Sequence, residues 1–278
     1  MDHLFIGLVL CSALLHAVWN AFLHVSEDRL AQLGTMSLPY LAFGIAGAWL
    51  LPAPDRAAWP YVAGSAALEV AYCFTLARAY RSGKFGQIYP IARGLSPLLV
   101  SVLAFAALHE RPTPLGFAGI ALVSLGIMSL ALRRGLKFSG ESVPYALLTG
   151  VFIAAYSICD GIGARVAGSA LGYIAWVYLL WSVPQILLVC AVRGGPRSVL
   201  GSRDALRQGV VAGTISLVAY GIVVLAYRHL PVATVSALRE TSSIFAVAIG
   251  WFAMRERPGA QRLVACALVV AGAALIRL

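Results

Sequence analysis

Charge is the scarcest commodity in this sequence: charged residues make up 12% of its 278 positions, against roughly 25% in an ordinary soluble domain. That shortage excludes a conventional water-exposed surface. The formal net charge is +10, yet the arginines are scattered over the ends of apolar segments and are not gathered on one face. Binding to nucleic acid needs a clustered basic face, so no nucleic-acid partner is expected. Cysteine is sparse as well. Cys11, Cys73, Cys159, Cys190 and Cys266 stand singly within apolar runs, without a CxxC pair or metal-ligand spacing. They read as reduced packing residues, and neither a metal nor another cofactor is expected. No GxxxxGK[ST] loop occurs, so ATP is not the direct energy source in this polypeptide. A nucleophile–base pair is also lacking, which argues against an enzyme.

What the sequence has in abundance is apolar length. Hydrophobic residues make up 60% of it, and its mean hydropathy is +0.86. A membrane-spanning helix needs about 20 mostly apolar residues. The chain divides into ten such blocks, near 3–25, 33–52, 60–81, 87–109, 114–132, 144–165, 170–192, 207–228, 231–254 and 260–277. Short connections rich in Gly, Pro and charge separate them. The first run, Leu4–Val25, lacks a basic leader and holds His16, Trp19 and Asn20, so it reads as a span and not as a cleaved signal peptide. The expected class is an all-α integral membrane protein. Fourteen Lys and Arg fall in the loops after odd-numbered spans and five on the other side. The positive-inside rule therefore puts the odd loops in the cytoplasm and both termini outside.

The blocks are not independent. Tyr89–Pro112 (YPIARGLSPLLVSVLAFAALHERP) is echoed by Val235–Pro258 (VSALRETSSIFAVAIGWFAMRERP). Each copy sets a lone arginine, Arg93 or Arg239, at the same distance from a closing Glu-Arg-Pro, and Ala79-Tyr80-Arg81 is repeated as Ala226-Tyr227-Arg228. More weakly, the segment around His16 and Asn20 lies against the one around Tyr156 and Asp160. Five spans per copy is an odd number, so the second copy must enter the membrane from the opposite side. The expected organisation is two inverted five-helix repeats, residues 1–138 and 139–278. Pro112 and Pro258 fit the first turn of the next helix, with Glu110 and Glu256 as capping residues. Small residues in the fifth and tenth spans (Gly116, Gly119, Gly126; Ala265, Ala271, Gly272) imply close helix packing. A second copy of the chain is one candidate partner, so the expectation is a monomer or a homodimer.

The pattern Tyr89-Pro90-Ile91-Ala92-Arg93-Gly94 before an apolar helix ending in Glu110-Arg111-Pro112-Thr113, twice over, resembles the paired EamA repeats of the drug/metabolite transporter superfamily. The resemblance is strongest over spans 3–5 and 8–10. It implies a ten-helix carrier in a bacterial inner membrane, with a central cavity lined by spans 1, 3, 4, 6, 8 and 9. Such carriers export or exchange amino acids, nucleotide-like metabolites, sugars or drugs. The resemblance also implies cytoplasmic termini, against the charge count above.

Ionisable residues at membrane depth are costly and usually face a partner or a wet cavity. Five occur here: Glu69, Arg93, Asp160, Arg239 and Glu240. Glu69 falls near the middle of its span with no basic residue within one turn, which suits a proton-carrying carboxyl. Its bland reading is a neutral acid hydrogen-bonded to backbone or to Tyr72. Arg93 and Arg239 could grip a carboxylate or phosphate bidentately, or could pair with one of the acids. Glu240 follows Arg239 directly, and neighbours on a helix point about 100° apart, so the two must serve different directions. Asp160 is either a proton site or a hydrogen-bonded acid. His16, Trp19, Asn20, Tyr72, Tyr89, Tyr156, Tyr220 and Thr241 are candidate cavity-lining residues. A kink or local break at Pro97 is expected in the first copy.

These features point to a secondary-active transporter of a small polar or amphipathic metabolite, working by alternating access with proton coupling or exchange. Its partners would be that solute, protons and membrane lipid. A flippase for lipid-linked head groups is the alternative within the same architecture.

Overall fold

The computed structural model describes residues 2–82, 85–132, 142–253, 255 and 257–276. Along these the helices are α1 (Asp2–Val25), α2 (Arg29–Leu50), α3 (Trp59–Ser82), α4 (Phe85–Leu108), α5 (Pro114–Ser129), α6 (Ser142–Val166), α7 (Ala170–Arg193), α8 (Arg197–Leu200), α9 (Arg203–Ala226), α10 (Val232–Arg239), α11 (Ser242–Phe252) and α12 (Ala260–Ile276). No strand occurs among the described residues. Seven segments are long and apolar enough to cross a bilayer: α1, α2, α4, α6, α7, α9 and the α10–α11 pair. Helices α5 and α12 are apolar but shorter, and α3, at 24 residues, has the length with a more polar composition.

Local chemistry moves several expected boundaries. The second helix begins at Arg29 and not near 33, because the Asp28 carboxylate accepts a hydrogen bond from the Ala31 amide at 3.1 Å. The eighth span starts at Arg203, where Ser202 receives the Ala205 amide at 3.2 Å. Pro112 does not open α5. That place belongs to Pro114, with Thr113 as the cap through Gly116 N–H at 3.0 Å. Glu110 is therefore not the cap of the helix that follows it, and Glu256 lies outside the described residues.

Of the kink or local break expected at Pro97, the break is absent, and α4 runs unbroken through Pro90 and Pro97. Pro97 cannot donate to the carbonyl of Arg93, four residues back, and the Ser96 hydroxyl supplies that bond at 3.0 Å. The break falls instead in the second copy, between α10 and α11. There the Thr241 hydroxyl donates to Leu238 O at 2.7 Å and the Ser243 hydroxyl to Glu240 O at 2.8 Å. Hydroxyls competing for backbone carbonyls weaken the helical ladder. The Arg239–Ser243 run thus replaces α-helical bonds with tighter ones, such as Thr241 N–H to Leu238 O at 3.1 Å.

The two halves of the chain pack on each other. Helix α1 lies against α9, α2 against α7 and α9, α3 and α4 against α6, and α5 against α12. The small residues of the fifth and tenth spans serve this last contact: a Cβ added at Gly119 would fall 2.6 Å from Gly272 O, and one at Gly126 would fall 3.1 Å from Ala265 O. Their close packing is internal to the chain. Gly213 of α9 is equally tight, since a Cβ there would lie 2.8 Å from the Met36 Cα and closer still to its carbonyl oxygen. Backbone cannot move aside as a flexible side chain can. Gly213→Val is therefore expected to lower stability by about 1–3 kcal/mol. A thermal melt in detergent checks this, and an unchanged midpoint would contradict the packing.

One end of the bundle is sealed. An apolar cluster that includes Val9, Val100, Ala104, Ile158, Val223, Leu230, Val232, Val235 and Leu238 fills it. The Asp55 amide donates to Ala167 O at 3.1 Å across the same end, and Phe5 stacks on His229 with ring centroids 3.9 Å apart.

Candidate substrate site

The opposite end is open. A vestibule of about 710 Å³ enters between the α1–α2 connection and the ends of α3 and α7, passing Asn20, Asp28, Leu76, Arg78, Leu188 and Arg193. Asp28 and Arg193 pair at 2.8 Å near its rim. His16, Trp19, Tyr72, Trp181 and Ser216 line both the vestibule and a smaller chamber beyond it. That chamber measures about 60 Å³, room for roughly four waters by the usual volume criterion.

Helical periodicity explains who lines it. Ser12, His16 and Trp19 stand at successive turns of α1 and share a face. Glu69 and Tyr72 do the same on α3, Tyr178 and Trp181 on α7, and Ser216 and Tyr220 on α9. Tyr156 comes from α6, and Arg239 closes the wall from the last residue of α10.

The charges divide into three arrangements. Glu69 is buried (3% exposed) and faces the chamber. Among the described residues it makes no hydrogen bond and no ion pair, although Arg239 and Asp160 lie within electrostatic reach. Arg239 sits with its guanidinium over the Tyr220 ring, 5.2 Å from the centroid. His16 Nε2 has no hydrogen-bond partner among the described residues, and its ring meets Trp19 edge-on with centroids 4.9 Å apart. One chamber thus holds a carboxylate and a guanidinium that are not bonded to each other.

Arg93 and Glu240 form the second arrangement. Their side chains pair at 2.7 Å, and the residues are 6% and 4% exposed. The pair crosses from α4 to the α10–α11 break. Arg93 borders the vestibule while Arg239 borders the chamber, so the two repeat-related arginines occupy unlike surroundings. The neighbours Arg239 and Glu240 do serve different directions.

Asp160 is the third. It is fully buried and lies outside both cavities. It accepts a hydrogen bond from Tyr173 OH at 2.9 Å and another from Tyr220 OH. Its contribution to the chamber passes through Tyr220, whose ring also meets Tyr156 edge-on at 5.9 Å, as Tyr156 meets Tyr72 at 6.0 Å. Asn20 lines only the vestibule and donates to His16 O at 2.8 Å. Thr241 spends its hydroxyl on the helix break, and the side chain of Tyr89 lies outside what is described.

The sequence reading missed Tyr178 and Trp181 altogether. Three positions apart, they form a face of α7 that continues onto Tyr40, with Tyr40–Trp181 centroids 5.1 Å apart. That spacing was the available signal. Tyr173 was missed for lack of one, because its partner Asp160 is on another helix. No ion-binding cluster of three His, Cys, Asp or Glu occurs among the described residues.

Residues 141–278 match the model of the EamA-like transporter family. The chain belongs to this family. With its run of apolar helices, this EamA member is a multi-pass membrane protein of a transporter family. No curated protein matches the sequence significantly. A solved crystal structure superposes on the EamA chain with a TM-score of 0.76, covering 99% of this chain and 95% of the other at 21% identity. At that identity the likeness concerns the fold alone.

Proposed function

We propose that this EamA member is a secondary-active transporter of a small polar or amphipathic solute, working by alternating access of two inverted five-helix repeats in a bacterial inner membrane. The observation that carries the proposal is the chamber in which Glu69 and Arg239 face one space without bonding to each other. Buried opposite charges left apart suit a solute that meets one or both. The aromatic wall offers apolar area to the rest of that solute. A carboxyl with no hydrogen bond or ion pair among the described residues is also suited to take up and release a proton, so Glu69 is the coupling group in this reading.

Helix contacts support the repeat arrangement. They come in pairs that interchange when first-half and second-half spans are exchanged: α1 on α9 answers α3 on α6, and α1 on α11 answers α4 on α6. A vestibule at one end and a sealed apolar end opposite suit one extreme of an alternating cycle.

The test uses purified protein in liposomes loaded with a pH-sensitive dye and challenged with amino acids, nucleotides, sugars and organic cations in turn. At least one class is expected to drive proton movement, or to exchange against a preloaded radiolabelled counterpart. Turnover of a substrate without its passage across the membrane would overturn the carrier reading.

A further inference from the structure

The Glu-Arg-Pro junction that closes the first repeat reaches across the molecule. Glu110 Oε1 pairs with Arg165 Nη2 at 2.7 Å, and Glu110 Oε2 accepts the Val232 amide, the first of α10, at 2.8 Å. The same guanidinium donates through Nε to Tyr227 O at 2.8 Å and through Nη2 to Leu230 O at 3.1 Å. Four bonds thus join the end of α4, the end of α6 and the α9–α10 connection. They lie at the sealed end, over the apolar cluster to which Tyr227, Leu230 and Val232 themselves belong. The vestibule opens at the other end.

We propose that Glu110, Arg165 and the first amide of α10 form the latch that keeps this face shut, and that access from this face requires the latch to open. The proposal rests on the transporter reading above. Two features give it mechanical content. The pair is partly wet, its side chains being 30% exposed at Arg165 and 13% at Glu110. Ion pairs with such access to water are individually weak and exchange readily for hydration, which suits a contact that must break and re-form. Moreover, α10 spans from the latch to the chamber. From Val232 to Arg239 is about 10 Å of helix, and the helical ladder is interrupted immediately afterwards, at Glu240 and Thr241. The short helix held at its first residue by Glu110 therefore presents its last residue to the solute. A solute drawing on Arg239 shifts α10 as a unit, and the latch is where that shift is felt.

Access can be read without knowing the solute. In a variant with the five native cysteines replaced, Ser216→Cys places one thiol where the chamber meets the vestibule. Its reaction with a membrane-impermeant maleimide is then timed in vesicles of each orientation. With the latch intact, labelling is expected from the vestibule face only. Glu110→Gln keeps an acceptor for the Val232 amide but drops the charge, and Arg165→Lys keeps the charge but cannot span three acceptors. Each is expected to raise labelling from the sealed face about tenfold or more, as expected if the latch biases a two-state equilibrium. Unchanged sealed-face labelling in both single variants, with parental melting and monodispersity, would overturn the latch. Altered labelling in a protein that moves no solute would leave the latch standing and remove the transporter reading instead. Normal transport with unaltered labelling would do the reverse.

Discussion

Glu240→Ala is expected to destabilise the protein by about 3–5 kcal/mol, the cost of breaking a buried ion pair by removing one of its members. Glu240 and Arg93 meet at 2.7 Å where each residue is almost wholly shielded from water. Removing the carboxylate takes the 2.7 Å ion-pair partner from a guanidinium that stays charged at any accessible pH. The pair also ties the centre of α4 to the break between α10 and α11, so the loss falls on an inter-repeat contact. Replacing both partners with apolar residues of similar volume, Arg93→Met with Glu240→Leu, is expected to recover most of the loss, because a well-packed apolar pair serves about as well as a buried ion pair. Thermal melts of the three variants in one detergent decide the matter. If the double variant melts no higher than Glu240→Ala, the charges do something beyond neutralising each other, and Glu240 returns to the list of solute-contacting residues.

Glu69→Gln is expected to abolish the dependence of transport on a pH gradient while the protein still folds. The substitution keeps volume and hydrogen-bonding capacity but cannot carry a proton. Because Glu69 makes no hydrogen bond or ion pair with any other described residue, only its longer-range interactions with Arg239 and Asp160 are lost with its charge, and these oppose each other. Stability should therefore change little, in contrast with Glu240→Ala. Solute exchange at equal pH on both sides should persist, since it requires no net proton movement, whereas accumulation against a gradient should vanish. Accumulation driven by a pH gradient in the glutamine variant would remove Glu69 from the coupling mechanism.

The chain's layout was legible in the sequence because spans are long, apolar and separated by short polar gaps. Membrane insertion leaves few alternatives to helices, and the described residues fall into helices close to the expected blocks. Among residues that line the chamber, Glu69 and Arg239 were legible because a charge at membrane depth needs a reason to be there. The same rule flagged Arg93, Glu240 and Asp160, but it could not say that two of them pair and that the third is held by tyrosines. Those outcomes depend on which helices become neighbours. Local cues also suggested a break at Pro97 that does not occur, because one hydroxyl on the previous residue restores the carbonyl bond that proline denies. Glu110 was read as a cap because its sequence neighbours invite that, whereas its partners lie on α6 and at the start of α10, distant in sequence.

The interruption at Glu240 and Thr241 has an electrical side. Aligned peptide groups leave a helix with a fraction of a negative charge at its carboxyl end and of a positive charge at its amino end. Helix α10 ends on Arg239 and α11 begins just after Glu240, so the cation stands at a negative terminus and the anion next to a positive one. The opposite order, acid before base, would set each against a like partial charge deep in the membrane. The polarity of the peptide backbone thus favours the base at the first of the two positions, and with it the sign of the group that the chamber receives from this half of the molecule.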